Sequence, residues 1–191
     1  MSTLPIRIYG DALLRKKAKP VTQIDAELQQ LIAQMTETLR TAEAPAGVGL
    51  AAPQVGRSVR LIIVREDADE DTPVHCLINP RVVEQEGEQT DSEGCLSLPT
   101  LRGVVGRSLR VLVEGIGPDE RELSLEVEGL LARVLQHEID HLNGVLFIDR
   151  AQPDSLNWLI PDEDEEDGYR LKPTALEQVG QVFERLRKKR Q

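Results

Sequence analysis

The segment His137-Glu138-Ile139-Asp140-His141 carries the strongest chemical signal in this sequence. It has the form H-E-x-x-H, and on a helix two residues four apart lie one above the other on the same face. Two imidazoles in this arrangement can bind one metal ion, and the glutamate beside them can take a proton from water at that ion. Unpaired imidazoles among apolar neighbours would be costly, which favours a metal centre over two unrelated histidines.

A catalytic metal centre usually has three protein ligands and one open position, so a third ligand is required. Gly144 fits the longer pattern H-E-x-x-H-x-x-G-x-x-H, but Phe147 stands where that pattern has its third histidine, and it cannot bind a metal. The downstream glutamates belong to an acidic run, residues 162–167, where nothing would hold them in place. Cys95 is the better candidate, because a thiolate binds iron(II), zinc or cobalt well. Spacing alone leaves a small buried thiol equally open.

The other cysteine, Cys76, directly follows His75 in a run that is typical of a strand. Side chains of adjacent strand residues point to opposite faces, so these two are not expected to share a metal. We interpret both as structural.

A carbonyl group attacked by water becomes an oxyanion, which needs hydrogen-bond donors. The backbone N–H of Leu96, directly after Cys95, and the side-chain amide of Gln54 could supply them. Composition alone favours an ordinary loop glutamine at position 54. Gly47 and Gly49 would let a substrate backbone approach closely, although two glycines by themselves more often mark a turn.

Apolar periodicity predicts the elements that position these residues. Asp25 can cap a first helix, and a mostly buried helix begins near Gly129 and ends at Gly144. The last helix carries an apolar side made of Leu176, Val179, Val182, Phe183 and Leu186. Strands are predicted over residues 59–64, 74–78, 109–116 and 121–127. We therefore expect an α+β fold, with antiparallel strands packed around a central metal-binding helix and with a C-terminal helix.

Length and composition limit the class of protein further. The 191 residues are 40% hydrophobic and 29% charged, which fits a single globular domain over residues 1–191. A net charge of −10 makes general binding to a nucleic-acid backbone a poor expectation. No apolar run approaches the roughly 20 residues that cross a bilayer, and the first residues do not resemble a secretory signal. We therefore expect a cytoplasmic protein, and with only two cysteines in a reducing compartment a disulfide framework is not expected.

Three segments closely resemble the signature motifs of the peptide deformylase family, in the family's order and with its approximate spacing. They are residues 47–54 (GVGLAAPQ), 93–97 (EGCLS) and 136–142 (QHEIDHL). The resemblance extends to residues 13–21 and 77–80 and covers roughly residues 4–149. A lone H-E-x-x-H motif would not be specific, whereas the three motifs together are.

The resemblance implies a hydrolase of protein biosynthesis that removes the N-formyl group from the N-terminal methionine of newly synthesised proteins and releases formate. By similarity, Cys95, His137 and His141 hold one divalent metal ion, natively Fe²⁺, which Zn²⁺, Ni²⁺ or Co²⁺ can replace. Metal-bound water attacks the formyl carbon, with Glu138 as general base and then as acid to the departing amine.

The resemblance also implies roles for the remaining residues of the site. Gln54 and the Leu96 amide stabilise the oxyanion. Val48 and Gly49 line the place where the methionine side chain and the substrate backbone lie. The nascent polypeptide docks in extended form along protein backbone, which leaves its later side chains loosely specified.

Positions along the predicted metal helix suggest the walls of the methionine pocket. Leu130 and Val134 precede His137 on its side of the helix, and we expect both to line this pocket. Arg133 is nearby, and we expect it to point to solvent, as charged helix residues usually do.

The C-terminal part departs from the family pattern. Residues 152–172 read as an acidic insertion, and residues 173–191 as a basic C-terminal helix. Within this helix, residues 184–190 carry five cations and one acid, and they resemble a ribosome-docking element of bacterial deformylases. Such a cluster suits rRNA phosphates, although a solvated helix end is the alternative. No membrane partner is expected.

Two other functions fit parts of the sequence. A metallopeptidase could use the same H-E-x-x-H motif to cleave internal peptide bonds, but the chain lacks a histidine at position 147. A non-catalytic binding module could be stapled by a structural metal, in which case a closed site with four protein ligands is expected.

Overall fold

The computed structural model describes residues 2–42, 47–67, 69, 72–165 and 168–189. Glu166, Asp167 and Arg190, which belong to the acidic and basic segments predicted above, lie outside the described residues. Within the described residues, helix α1 spans Ala26–Arg40, α2 Gly129–Leu142 and α3 Leu176–Lys189.

The strands form two antiparallel sheets. The larger sheet has the order β1-β2-β3-β6-β7, and these strands span Gly49–Ala51, Leu61–Arg65, Val74–Glu86, Arg110–Ile116 and Glu122–Glu128. The smaller sheet has the order β4-β5-β8-β9, and these strands span Gln89–Cys95, Leu98–Arg107, Asn157–Pro161 and Tyr169–Pro173. Helix α2 packs against β1, β2 and β7. The predicted α+β class, with a central helix and a C-terminal helix, is confirmed.

Helix α1 begins where the sequence predicts it. The Asp25 carboxylate accepts a hydrogen bond from the Leu28 N–H at 2.9 Å, which satisfies one of the free donors of the first turn. Its apolar stripe is buried in a cluster with β1 and β2 that includes Leu31, Met35, Leu39, Leu50, Leu61 and Ile63. Burial of this stripe, rather than helix propensity alone, stabilises the helix.

Helix α2 is buried from Ala132 to Leu142 because it packs against the larger sheet, while side chains of Arg133 and His137 bond to β4 and β5. Its last residue is Leu142, and the predicted stop, Gly144, follows two residues later with a φ of +75°. A Cβ at this position would lie 2.7 Å from the carbonyl oxygen of Arg15, so the close approach also requires glycine.

The hairpin of β4 and β5 is missing from the predicted elements. Residues 89–95 read QTDSEGC, and a run so rich in polar residues has no apolar alternation to mark it as a strand. Pairing of its backbone with β5 forms the strand instead, from Gln89 opposite Arg107 to Cys95 opposite Leu98. Cys95 therefore stands immediately before a two-residue turn, Leu96 and Ser97.

The segment expected to be an acidic excursion contains the hairpin of β8 and β9. Strand β8 extends the smaller sheet, with Trp158 opposite Leu101 of β5. Helix α3 then packs its buried Phe183 against the rings of Tyr9 and Trp158, at centroid distances of 5.6 and 6.0 Å. None of the helices in the described residues is both long and apolar enough to span a membrane.

Candidate metal centre

Two different elements deliver the three predicted metal ligands to one place. Cys95 ends β4, and His137 and His141 lie one turn apart on α2. One ligand atom from each of the three falls within 4.8 Å of the other two. The Cys95 Sγ lies 3.2 Å from the His141 Nε2. The structure thus brings together all three residues although they are distant in sequence.

The chemistry of these donor atoms fits a divalent transition metal. One sulfur and two imidazole nitrogens suit zinc, iron(II) or cobalt rather than the hard cations magnesium and calcium. The buried His141 Nδ1 and Glu138 Oε2 atoms have no hydrogen-bond partner within the part of the chain that the structure describes. The group comprises three protein donors, and three is the usual number in a catalytic zinc centre.

Glu93 holds one of the imidazoles in orientation. Its Oε2 accepts a hydrogen bond from the His137 Nδ1 at 2.9 Å, which leaves the His137 Nε2 for the metal group. Burial by itself would raise the pKa of the Glu93 carboxyl, but hydrogen bonds from His137 and Arg107 hold it well below its usual range. Glu93 and Cys95 are two apart on β4, so a correct strand assignment would have placed them on one face.

A buried network of charges connects β4, β5 and α2. Arg107 donates from Nε and Nη2 to the two carboxylate oxygens of Glu93, at 2.9 and 3.0 Å, and from Nη1 to Asp140 at 2.5 Å. Arg150 donates to both oxygens of Asp140, at 2.6 and 2.7 Å. The charges of these arginines compensate the two carboxylates, which would otherwise be expensive to bury.

Arg133 belongs to this network, so the expectation that it points to solvent is wrong. Only 5% of its surface is exposed. Its Nη1 donates to Glu93 at 2.7 Å and to the Val105 carbonyl oxygen at 3.0 Å, and its Nη2 donates to the Gln89 carbonyl oxygen at 3.2 Å. The charge can be buried because its partners lie on β4 and β5, whose hairpin the sequence does not reveal.

Glu138 lies in the interior beside the metal group. It is 4% exposed, and burial raises the pKa of its carboxyl to about 7. Gly49 of β1 packs directly on this side chain, since a Cβ at Gly49 would lie 2.8 Å from the Glu138 Cδ. A larger residue at position 49 would displace the carboxylate.

Gln54 points its amide nitrogen at the same group. Its Nε2 lies 3.4 Å from the Cys95 Sγ and 3.2 Å from the Ser97 Oγ, and its Oε1 accepts from the Ala51 N–H at 2.8 Å. Both ends of the Gln54 amide are therefore held by hydrogen bonds, whereas the side chain of an ordinary loop glutamine would be free in solvent. The backbone of Leu96 follows Cys95 in the tight turn, within the same cavity.

A cavity of about 220 Å³ opens beside the metal group. Its lining includes the four predicted substrate-binding residues, Val48, Gly49, Leu130 and Val134. Val134 is buried, whereas Leu130 is 54% exposed and stands at the rim.

Cys76 lies away from this site. It is paired with Ile63 across β2 and β3 and packs against the cluster under α1. Burial raises the pKa of its thiol to about 12, as expected for a structural cysteine.

Comparison with known proteins identifies relatives over most of the chain. The family described as polypeptide deformylase matches residues 3–157. The peptide deformylase of Natranaerobius thermophilus is 49% identical over 153 residues, which are 80% of this chain and 94% of that protein. The peptide deformylase of Halothermothrix orenii is 51% identical over 79% of this chain and 95% of its own.

Solved structures agree with these relatives. The crystal structure of the peptide deformylase of Thermotoga maritima matches with a TM-score of 0.73 at 42% identity, over 80% of this chain and 100% of that one. The peptide deformylase of Legionella pneumophila matches with a TM-score of 0.74 at 41% identity, over 80% and 88% of the two chains. The resemblance read from the three motifs is confirmed.

Replacing Cys95 by alanine removes one of the three proposed ligands. Metal affinity should fall by more than roughly 100-fold, because losing a residue that only hydrogen-bonds to a ligand already costs up to about that much. Elemental analysis after dialysis against a chelator measures the retained metal. Cys76→Ala is the matched control and should retain as much metal as the wild type. Equal metal content in both variants would exclude Cys95 as a ligand.

Replacing Arg107 by methionine should lower the free energy of unfolding by about 3–5 kcal/mol, because it leaves buried carboxylates undercompensated. Urea unfolding followed by circular dichroism measures this loss. Arg110→Met is the control: Arg110 pairs with Glu86 and Glu128 on the surface, and its loss should change stability little. If both substitutions lowered the free energy of unfolding equally, the buried network would stabilise the fold no more than a surface ion pair does.

Proposed function

Because the chain belongs to the polypeptide deformylase family, whose metal-dependent members remove the N-formyl group from nascent peptides, we propose that Cys95, His137 and His141 hold its catalytic metal. The grouping of these three donors within 4.8 Å carries the proposal. We further propose that the whole chain, residues 1–191, is one catalytic domain.

The metal, when bound, supplies a Lewis acid that lowers the pKa of coordinated water and polarises the formyl oxygen. We propose Fe²⁺ as the native ion, with Zn²⁺, Ni²⁺ or Co²⁺ able to replace it, since a sulfur and two imidazoles accept all four. Glu93 supports this set by orienting His137 through the 2.9 Å hydrogen bond.

Glu138 is the proposed general base and acid. Its carboxylate accepts the proton of the water that attacks the formyl carbon, and then delivers that proton to the departing amine nitrogen. The products are formate and a peptide with a free α-amine. Gly49 supports this role, because the absence of a side chain there lets the Glu138 carboxylate lie against β1, the strand on which the substrate is proposed to dock.

Gln54 and Leu96 are the proposed oxyanion donors. The Gln54 amide nitrogen already faces the metal group, and its Oε1 is fixed by the Ala51 N–H. Donors that are oriented before the reaction stabilise developing charge without reorganisation. The N–H of Leu96, which directly follows Cys95 and lines the same cavity, completes the pair in this proposal.

The cavity beside the metal group is the proposed methionine pocket. Val48 and Val134 supply apolar walls, and Leu130 covers the rim. Gly49 lies on β1, an edge strand of the larger sheet, so an extended peptide can add its backbone there.

Replacing Glu138 by glutamine keeps the shape of the side chain but removes the base. Formate release from formyl-Met-Ala-Ser should fall between about 10²- and 10⁴-fold while the metal content is unchanged. Glu126→Gln, on the exposed face of β7, is the control and should keep full activity. A near-normal rate in the Glu138 variant would exclude the proposed base, and cleavage of unformylated peptides would favour a metallopeptidase.

We also propose that α3 docks on the ribosome near the emerging nascent chain. Arg185, Arg187, Lys188 and Lys189 concentrate positive charge at its end in a protein of net charge −10. Its buried Val179 and Phe183 attach the helix to the body, so the charged end has a fixed position. This proposal places the enzyme in the cytoplasm, with formylmethionyl nascent chains as its substrates.

Reversing charge at Arg185 and Lys189 to glutamate should weaken co-sedimentation with ribosomes at least about tenfold and reduce its salt dependence. Arg121→Glu is the control, because Arg121 is an exposed cation between β6 and β7 and does not belong to α3. Equal sedimentation of all three proteins would contradict docking through α3.

A further inference from the structure

Arg65, the last residue of β2, has a buried guanidinium next to the segment that leads into β1, the proposed docking strand. Only 2% of its surface is exposed. Its Nε and Nη2 both donate to the Gly47 carbonyl oxygen, at 3.0 and 2.8 Å, and its Nη1 donates to the Asp69 carbonyl oxygen at 3.3 Å. Burying a cation costs free energy unless its donors find partners. Because Arg65 directs two of its donors to the Gly47 carbonyl oxygen, we ask what holding this oxygen achieves.

Gly47 leads directly into the strand on which a substrate would dock. It lines the cavity beside the metal group, and β1 begins two residues later. The Arg65 N–H donates to the Val48 carbonyl oxygen at 2.9 Å, and Gly49 lies opposite Val64. In an antiparallel pair the backbone groups of successive residues alternate between the partner strand and the other side. The backbone groups of Gly49 therefore face the open edge.

This open edge is very short and is held by side chains at both ends. At one end the Ala51 N–H donates to the Gln54 Oε1 at 2.8 Å. At the other end Arg65 holds the Gly47 carbonyl oxygen through the two hydrogen bonds described above. A strand of three residues has few ladder bonds of its own, so these two side chains define the position of its edge relative to Glu138.

We propose that Arg65 is a positioning residue for substrate binding, which fixes the peptide plane of Gly47 and thereby the docking edge at Gly49. It acts through Gly47 and does not itself contact the substrate. The inference rests on the proposed function, because it takes the ligand of this edge to be an extended formylated peptide. The proposed metal ligands and Glu138 lie on β4 and α2, and Gln54 holds the other end of the edge, so loss of Arg65 should leave these groups in place.

The test compares kcat and KM for formyl-Met-Ala-Ser in the wild type, Arg65→Met and Arg65→Lys, each with its metal content measured. We expect KM to rise about tenfold in Arg65→Met, with kcat within about twofold of the wild type. Lysine keeps the charge but offers no planar pair of donors, so Arg65→Lys should show an intermediate rise of about threefold. If Arg65→Met does not fold, the lysine variant decides.

Arg60→Met is the matched control. Arg60 directly precedes β2 and also donates to main-chain oxygens, those of Leu142 at 3.4 Å and Pro80 at 3.1 Å. Unlike Gly47, which Arg65 holds, it is not among the residues that line the candidate pocket. Its loss should lower the unfolding midpoint without changing KM. An equal rise of KM in the Arg60 and Arg65 variants would show a general effect of stability and would overturn the proposal.

Amide hydrogen exchange provides a readout that does not depend on turnover. Exchange in residues 47–50 should become faster in Arg65→Met, while exchange in α2 stays at the wild-type rate. An unchanged KM together with unchanged exchange in the folded variants would overturn the positioning role. A wild-type enzyme that releases no formate would instead refute the proposed function, and the exchange measurement would still decide whether Arg65 orders the edge.

Discussion

The attachment of strand β4 to helix α2 is the constraint on which the rest of the site depends. Cys95 lies on the strand and both histidines lie on the helix, so any slip between the two elements would separate the three proposed ligands. Glu93 joins them, because it accepts from His137 and from the buried guanidinium of Arg107. Charged partners with several hydrogen bonds allow less freedom than apolar packing, since each bond has a preferred direction.

Removing the charges of this network from water costs free energy, which explains why each buried charge is paired with an opposite one. Two carboxylates, Glu93 and Asp140, and two arginines, Arg107 and Arg133, are removed from water in the interior, and each would be unfavourable without its partners. Asp140 is held by Arg107 and Arg150, and Glu93 is held by Arg107 and Arg133. The shared partner Arg107 couples the two carboxylates, and because Asp140 lies in the turn of α2 between the two histidines, the network also holds that turn.

The substrate side of the site uses main-chain groups more than side chains. Gly49 leaves room for Glu138, and the edge of β1 offers backbone to an extended peptide. In the proposed function, such an arrangement makes few contacts with most side chains of the peptide, while the apolar cavity is the proposed site for the first one. The division suits an enzyme that must act on many different nascent chains with one common first residue.

The sequence by itself determined the helix with its two histidines, the cap at Asp25, the end at Gly144 and the three motifs that identify the family. Each of these depends on local spacing or on the conformation of one residue, which can be read without neighbours. Only the tertiary structure revealed the hairpin of β4 and β5, the burial of Arg133 and the roles of Glu93 and Arg107. Polar residues give no periodic signal, and whether a charge is buried depends on partners 14 to 44 positions away.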